Sequence, residues 1–589
     1  MVVSEDRTSI VSRLRPLLNL EVGIYALIVL VALAIRLWDL GVRAIHYDEG
    51  LHVLYAWRLF TGLGYHHEPW MHGPFQFYGT YPIYWLFGAG NFTARLLPVI
   101  FGTALVILPC FLRKQLGRWG ALAVSVLITF SPLLLYYSRY ARNDIYIAFW
   151  SLLLVVCMWR YFEERKARYL YVGAAALSLS FCTKEVTYIT VGIFVLFLFI
   201  ISAKELAGRG RRRFDLKGLS PHSEYLILIG TLALPLFSAF IGLIPGIEIP
   251  SGFHWAKLLT IILFFIVSAA VGLRWNWRRW LLSAFIFYGI FIFLYSSVFT
   301  NTSSGLVSGF WGSADYWIEQ HGVARGGQPW FYYIMLLPIY EFLPLFFAFL
   351  GAIYYTIKGN LFSRFLVYWT VLALIIYSYA GEKMPWLSLH IALPVILLGG
   401  MFIGQLLQEA LNLKGARAWV IRGVTVLVLL LLLPFSIHVA FQENYQKSDE
   451  PPQMLFYAGI SSDVPPIMAE IDKLAQKTGE GKQLAITIDG KLFYDGPAWY
   501  LRDYKNIDFS ISQPKGSVLI IDTSSENDVD KSYLEKYGEG QKFHHLIWFP
   551  EEYRDFDLGW WWDYFFHRET RGPYWSQEGI VYFLSNSEF

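Results

Sequence analysis

Long apolar runs separated by short polar breaks fill the first 440 residues of the chain, and the pattern changes abruptly at Gln442. A bilayer core takes about 20 apolar residues per helix. On that measure the runs at 21–38, 94–112, 119–136, 144–162, 168–182, 186–203 and 224–244 are membrane helices, followed by 255–273, 279–299, 331–357, 362–379, 387–407 and 419–440. The expected fold is thus a polytopic α-helical membrane protein of about thirteen transmembrane helices over residues 1–440. Residues 441–589 are polar instead, with strand-like runs at Leu484 to Ile488, Val518 to Ile521 and Phe543 to Trp548. Helical stretches at Pro466 to Gln476, Pro497 to Asp503 and Asp528 to Tyr537 complete a small α/β domain.

Composition agrees: the 589 residues are 56% hydrophobic, 18% aromatic and only 16% charged, with mean hydropathy +0.42, which excludes a soluble globular protein. The net charge of +3 says little, but its placement says more. Basic residues gather in alternate loops, at Arg113/Lys114/Arg118, Arg160/Arg165/Lys166/Arg168, Arg209 to Arg213, Arg274/Arg278/Arg279, Lys358/Arg364 and Lys414/Arg417/Arg422. They share a side with Arg7, Arg13 and Arg15, so that side is expected to be cytoplasmic and the C-terminal domain extracytoplasmic, in the cell membrane. The run after those arginines lacks a small-residue cleavage site and reads as a retained helix. Cys110, Cys157 and Cys182 lie in or beside apolar spans and suggest neither a disulfide framework nor a zinc site. Nothing points to nucleic acid as a partner.

The outer loops are unequal. The first, 39–93, carries two segments, 49–61 and 75–88, that read as interfacial amphipathic helices. The stretch 300–330 is rich in Gly and Ser and suits a mobile flap. Candidate chemistry collects on this side. The tract His46-Tyr47-Asp48-Glu49 sets two acids where the chain leaves the bilayer, a costly position that argues for function. Later outer loops add Arg139, Arg142 and Asp144, then Lys184-Glu185, then Glu382-Lys383 with His390 one turn further on, and the first loop also holds His72. Acids there suit a general base or a metal ligand, and cations suit a phosphate. Plainer readings compete at some positions. Arg36 and Arg95 at helix ends are expected to snorkel, and His66 and His67 to be solvated. Glu341, inside the tenth span, is open to a structural or a functional role.

The order of these motifs resembles the GT-C glycosyltransferases that use polyprenyl-phosphate sugars, above all their protein O-mannosyltransferase and aminoarabinose transferase branch. Asp48-Glu49 is similar to that branch's first-loop acids, and Ala94-Arg95-Leu96-Leu97-Pro98 with Phe101-Gly102-Thr103 to the start of its second helix. Ser131-Pro132 with Arg139 and Asp144 resembles its second acidic loop, Phe181-Cys182-Thr183-Lys184 its lysine-bearing helix end, and Lys383-Met384-Pro385-Trp386 through His390 and Pro394 its last-loop Lys-x-Pro segment. Gln328-Pro329-Trp330 and Trp499-Tyr500-Leu501-Arg502 extend the likeness to a prokaryotic flippase-activity-associated branch linked to archaeal glycosylation.

The resemblance implies inverting transfer of a sugar from a polyprenyl-phosphate donor to a hydroxyl of a protein, glycan or lipid acceptor at the outer membrane face. Asp48 would be the base, Glu49 and Asp144 further acids of the catalytic set, and a divalent metal between Asp48 and Asp144 an option, with no other cofactor implied. His72, Arg139, Arg142, Lys184, Lys383 and His390 would receive the donor phosphate. His46, Glu185, Glu341 and Glu382 complete the candidates. His72 stands where the aminoarabinose branch has a lysine, a weaker and pH-dependent cation that leaves the donor head group open.

Two other functions compete. Trp560-Trp561-Trp562-Asp563-Tyr564 is similar to an oligosaccharyltransferase signature, but Phe565 replaces its glycine and the motif lies far from the last span. A lipid-linked sugar flippase would need ionisable residues along a midplane path, where the sequence has little beyond Glu341.

Overall fold

The computed structural model describes residues 20–210, 216–246, 255–323, 325–412, 414–446, 453–493, 496–555 and 557–585. Arg7, Arg13 and Arg15, and the side chains of Arg209 to Arg213 and Arg417, lie outside the described residues. Nine described helices are long and apolar enough to cross a membrane, or eleven if each of two bent pairs is one span. The chain is a multi-pass membrane protein. The first helix, α1 (Leu20–Leu37), packs on α2 (Leu96–Ile107) and α3 (Arg118–Phe130). Glu21 at its start binds Arg113 and Arg118 at 2.6 and 3.1 Å. Lys114 meets Glu163 at 3.4 Å and Arg165 meets Glu224 at 3.6 Å, so these expected basic loops do share one end of the bundle.

The bundle is centred on α4 (Leu389–Asn412), which is buried from Leu389 to Gly404. Its Gly404 lies so close to Gly120 of α3 that a Cβ there would stand 2.2 Å from the Gly120 Cα. Small residues thus let the two backbones touch, as packing inside a membrane favours.

The runs at 255–273 and 279–299 are two helices that meet at Asn276, whose φ and ψ of −159° and 97° break the helix and whose side chain accepts from the Arg279 N–H at 3.1 Å. Two other runs bend. The run at 119–136 bends by 59° at Ser131-Pro132, between α3 and Pro132–Ser138. The run at 331–357 bends by 113° between Tyr332–Tyr340 and Phe342–Lys358, and Glu341 sits at the break. The two breaks support each other. Glu341 accepts from the Ser131 hydroxyl and from the Leu133 N–H at 3.3 Å, while Ser131 itself accepts from Leu134 N–H at 3.0 Å. These contacts satisfy free N–H groups at the start of the 132–138 helix, which Pro132 opens without losing a bond. Glu341 therefore anchors the helix leading into the Arg139 to Asp144 loop and does not face the candidate site.

The described residues of the stretch 300–330 are largely helical. They form helices Thr302–Val307 and Ser313–Val323, and Gly381 packs so tightly under the second that a Cβ would stand 2.1 Å from the His321 carbonyl oxygen.

Beyond Phe441 the chain builds a six-stranded mixed sheet in the order β1-β5-β6-β4-β2-β3. The strands are β1 (Ala458–Ile460), β2 (Ile486–Ile488), β3 (Ile507–Asp508), β4 (Val518–Asp522), β5 (Gln541–Trp548) and β6 (Trp575–Phe583). Strand β2 runs parallel to β3 and β4, and the other pairs are antiparallel. Helix Val464–Lys477 buries Ile467, Met468 and Ile471 against Ile486, Ile488 and Val518. The expected helix at Asp528 to Tyr537 shortens to Lys531–Leu534. The sheet is clamped to the bundle by Arg568, which lies 3.5 Å from buried Glu443 and over the rings of Tyr340 and Tyr564. The Trp560–Tyr564 motif belongs to this clamp: Trp560 donates to Glu552 at 2.7 Å, and the Tyr564 hydroxyl meets that of Tyr340 at 3.2 Å.

Candidate active site

Helix Tyr47–Phe60 starts on His46, whose Nδ1 accepts from the Asp48 N–H at 3.1 Å while its own N–H reaches Glu49 at 3.0 Å. The Tyr140 hydroxyl also meets His46 Nδ1 at 2.6 Å, and Nε2 meets the Phe456 carbonyl at 3.0 Å. A neutral ring protonated on Nε2 fits all three contacts. Burial holds its pKa down, at about 4. His46 thus fixes the helix that carries Asp48 and ties it to the C-terminal domain.

Successive helical side chains point about 100° apart, so the adjacent acids part company. Glu49 turns inward and is fully buried. It accepts from Arg95 Nε and Nη2 at 2.8 and 2.6 Å and from the Ala141 N–H at 2.7 Å. Burial alone would raise its pKa, but the Arg95 guanidinium overrides that and holds it at about 2. Glu49 is therefore a structural acid, contrary to the catalytic role expected of it. Arg95 does not snorkel; it also donates to the carbonyls of Leu40, Arg43 and Ala44 and so pins the start of the first loop. Arg36, likewise buried, donates to the Ala32 and Ile128 carbonyls.

Asp48 faces a cavity of about 540 Å³ between the bundle and the C-terminal domain. Its carboxylate lies 2.5 Å from Arg142 Nη1, and the same guanidinium has Nε 3.6 Å from Asp144. The guanidinium rests 3.7 Å over the Trp386 ring, a cation–π contact that fixes its plane. Asp144, 1% exposed, takes Lys184 Nζ on both oxygens at 2.7 and 2.9 Å and His390 Nε2 at 3.1 Å. Burial lowers the Lys184 pKa, with Asp144 opposing the shift. His390 stacks on Tyr377 and serves to hold Asp144, so it does not line the cavity.

On the next wall, His72 Nδ1 meets Glu185 at 2.7 Å. The two loops are joined by backbone: Gly73 N–H donates to the Thr183 carbonyl at 3.0 Å and Phe75 N–H to that of Cys182 at 2.8 Å. A Cβ on Gly73 would stand 2.1 Å from the Cys182 oxygen, so only glycine allows the approach. A narrow cleft shares His72, Glu185 and Glu382 with the cavity and reaches Lys184 between Ile189 and Tyr377, which belong to apolar spans. His67 is buried against Tyr65 and Tyr295, not solvated.

Besides His390, two more expected phosphate ligands lie outside the cavity. The segment 381–384 is extended, and alternate side chains of an extended chain face opposite ways. Glu382 and Met384 consequently line the cavity, while Lys383 turns back to donate to the Ala380 carbonyl at 2.7 Å. Arg139 donates to the Ile35 carbonyl at 3.2 Å and lies over Tyr445, outside the cavity. A divalent metal between Asp48 and Asp144 does not fit either: Arg142 bridges the two acids and Lys184 takes both Asp144 oxygens. Among the described residues no group of three or more His, Cys, Asp or Glu could hold a metal ion.

Sequence reasoning missed the cavity roof. Tyr457, Lys491, His545, Trp548 and Gln577 of the C-terminal domain face Asp48 and Arg142 across it. No local motif marks these residues, because the sheet alone gathers them.

Residues 67–241 match the family described as dolichyl-phosphate-mannose-protein mannosyltransferase. Two solved structures share the fold, each at TM-score 0.52 and 13% identity. One is the Archaeoglobus fulgidus oligosaccharyltransferase AglB in complex with an inhibitory peptide and a dolichol-phosphate, covering 89% of this chain and 73% of its own. The other is ArnT from Cupriavidus metallidurans bound to undecaprenyl phosphate, covering 95% of this chain and 98% of its own. No curated protein matches the chain.

Proposed function

We propose that this chain, a multi-pass membrane protein with the GT-C fold, transfers a sugar from a polyprenyl-phosphate donor to an acceptor hydroxyl at the extracytoplasmic membrane face. The observation that carries the reading is the Asp48–Arg142–Asp144 chain at the floor of the cavity, with Lys184 behind it. An alcohol needs a base in the transition state, and a phosphate leaving group needs cations. The cavity offers both side by side, and the adjoining cleft sets His72 and Lys184 beside the apolar side chains of Val186, Ile189 and Leu387.

In this reading the donor phosphate draws on Arg142, Lys184 and His72. A phosphate beside Arg142 competes with Asp48 for the guanidinium and frees the carboxylate. The acceptor hydroxyl then loses its proton to Asp48 as its oxygen bonds to the anomeric carbon, and the bond from that carbon to the phosphate oxygen breaks. The lipid phosphate departs as a dianion between the cations, and the single displacement inverts the anomeric configuration. Asp144 orients Arg142 and Lys184 and takes no proton.

The test is reconstitution in proteoliposomes with labelled polyprenyl-phosphate monosaccharides and a mixed pool of acceptors. Transfer with an inverted anomeric centre, read by NMR of the product, is the expected result. Movement of the donor across the bilayer with no transfer would replace the reading with a flippase. Trp560 and Tyr564 of the oligosaccharyltransferase-like motif are buried in contacts with Glu552 and Tyr340, so these two side chains favour no oligosaccharyltransferase alternative.

A further inference from the structure

The roof of the cavity is built differently from its floor. Strands β5 and β6 pair regularly except at one place: His544 faces Glu578 and Leu546 faces Gln577, which leaves His545 as an extra residue in a β-bulge. Bulges bend a strand and re-aim a side chain. Here the bulge sets the His545 ring on the cavity wall, 4% exposed, where the Gln577 amide is the polar side chain that acts on it and neither ring nitrogen makes a well-aligned hydrogen bond. A buried polar group without a partner costs on the order of 1–3 kcal/mol. Burial also holds the ring neutral, with a pKa of about 4, so it presents one donor and one acceptor.

Its neighbours are similarly half used. The Gln577 amide nitrogen donates to Asp522 at 2.7 Å, and its oxygen is shared between the His545 ring and the cavity. Lys491 Nζ spends two contacts on Ser525 and Ser524, at 2.9 and 3.2 Å, and keeps a third proton. Beside them stands Trp548, packed edge-on against Trp575 at 4.1 Å. Trp548 also lines a second, open groove with Trp575, Glu551 and Glu552 that runs from the roof to the surface.

We infer that this roof is the acceptor subsite and that its ligand is an uncharged saccharide, the terminal sugar of a glycan whose preceding units lie along the Trp548–Trp575 groove. The inference rests on the transferase reading for the ligand's role. Single donors and acceptors beside an indole face suit sugar hydroxyls above an apolar ring face. Lys491, the one lysine or arginine of the roof among the described residues, has Asp522 close by across Ser524, which offsets its charge, so the roof does not select an anionic acceptor. Aromatic walls and acids along the groove continue the same chemistry outward.

The test uses the full chain in nanodiscs and two measurements. Saturation-transfer NMR is run against methyl glycosides of mannose, glucose, galactose and N-acetylglucosamine and against a Ser/Thr peptide. His545→Ala and Gln577→Ala should each weaken binding of the preferred glycoside about tenfold. In the transfer assay they should raise acceptor KM by a similar factor and leave donor KM unchanged. His545→Gln, which keeps a donor and an acceptor, should restore part of the loss and guards against misfolding of the alanine variant. Saccharide binding that depends on His545 without any transfer would keep the subsite and sink the transferase reading. Transfer whose acceptor KM ignores both residues would sink the subsite alone. Binding of the peptide in preference to every glycoside would assign the roof to a protein acceptor and overturn the inference.

Discussion

Arg142 reaches Asp48 at 2.5 Å while its flat face lies over the Trp386 ring, so one guanidinium is held by a charge on its edge and an indole beneath it. That geometry belongs to arginine. Lysine would keep the charge and lose both the fork and the stack. Arg142→Lys is therefore expected to lower kcat about a hundredfold, with a smaller effect on stability. Steady-state transfer assays beside thermal unfolding check it, and a variant with wild-type kcat would remove Arg142 from the mechanism.

The cations are not equivalent. Lys184 is bound to buried Asp144, whereas Lys383 points at a carbonyl away from the cavity. Lys184→Ala should weaken donor binding by about tenfold or more, since it removes a charge from the phosphate's path and leaves Asp144 short of a partner. Lys383→Ala should change it less than about threefold. Equilibrium binding of a fluorescent polyprenyl phosphate distinguishes the two, and the reverse ranking would contradict the site as drawn.

Gly73 brings the His72 loop against the Cys182–Thr183 turn. In Gly73→Ala a methyl must displace a backbone carbonyl, so the two loops separate and the His72–Glu185 contact is lost. Transfer should fall by about tenfold or more while the C-terminal domain stays folded. Activity together with limited proteolysis would show this, and full activity would mean that the docking of these loops does not matter.

Glu49 and Arg95 predict a pH dependence of stability. The folded-state pKa of Glu49, about 2, lies below its ordinary 4.5. The stabilisation is therefore complete above the ordinary value and is lost as pH falls from there towards the folded one. Glu49→Gln should cost about 3–5 kcal/mol near neutrality, because Arg95 is left buried and unpaired. The gap between wild type and variant should narrow below pH 4.5. Denaturation across that range is the check, and a gap independent of pH would mean that the pair is not ionic.

Much of this fold was legible in the sequence because lipid imposes one rule on every span. Among the described residues each expected apolar run is helical. The breaks were harder to read. Glu341 sits between Pro338 and Pro344, which can mark a break, but the partner of its carboxylate, the facing Ser131-Pro132 turn, is distant in the chain. Among site residues, Asp48, Arg142, Asp144 and Lys184 come together as their order along the chain suggested. Glu49 and Lys383 do not, because one step along a helix turns a side chain by about 100° and one step along an extended segment reverses it, and Arg139 is drawn off by the Ile35 carbonyl and the Tyr445 ring. His545 and Gln577 were out of reach, since a bulge depends on the register between strands that the sequence does not display.

The central claim is that Asp48 takes the acceptor's proton. Asp48→Asn keeps the size of the side chain and removes its basicity. Transfer by the purified variant should fall by about a thousandfold or more while its affinity for the polyprenyl-phosphate donor stays within about threefold of wild type. Transfer that persists at near wild-type rate with the donor bound normally would contradict the account.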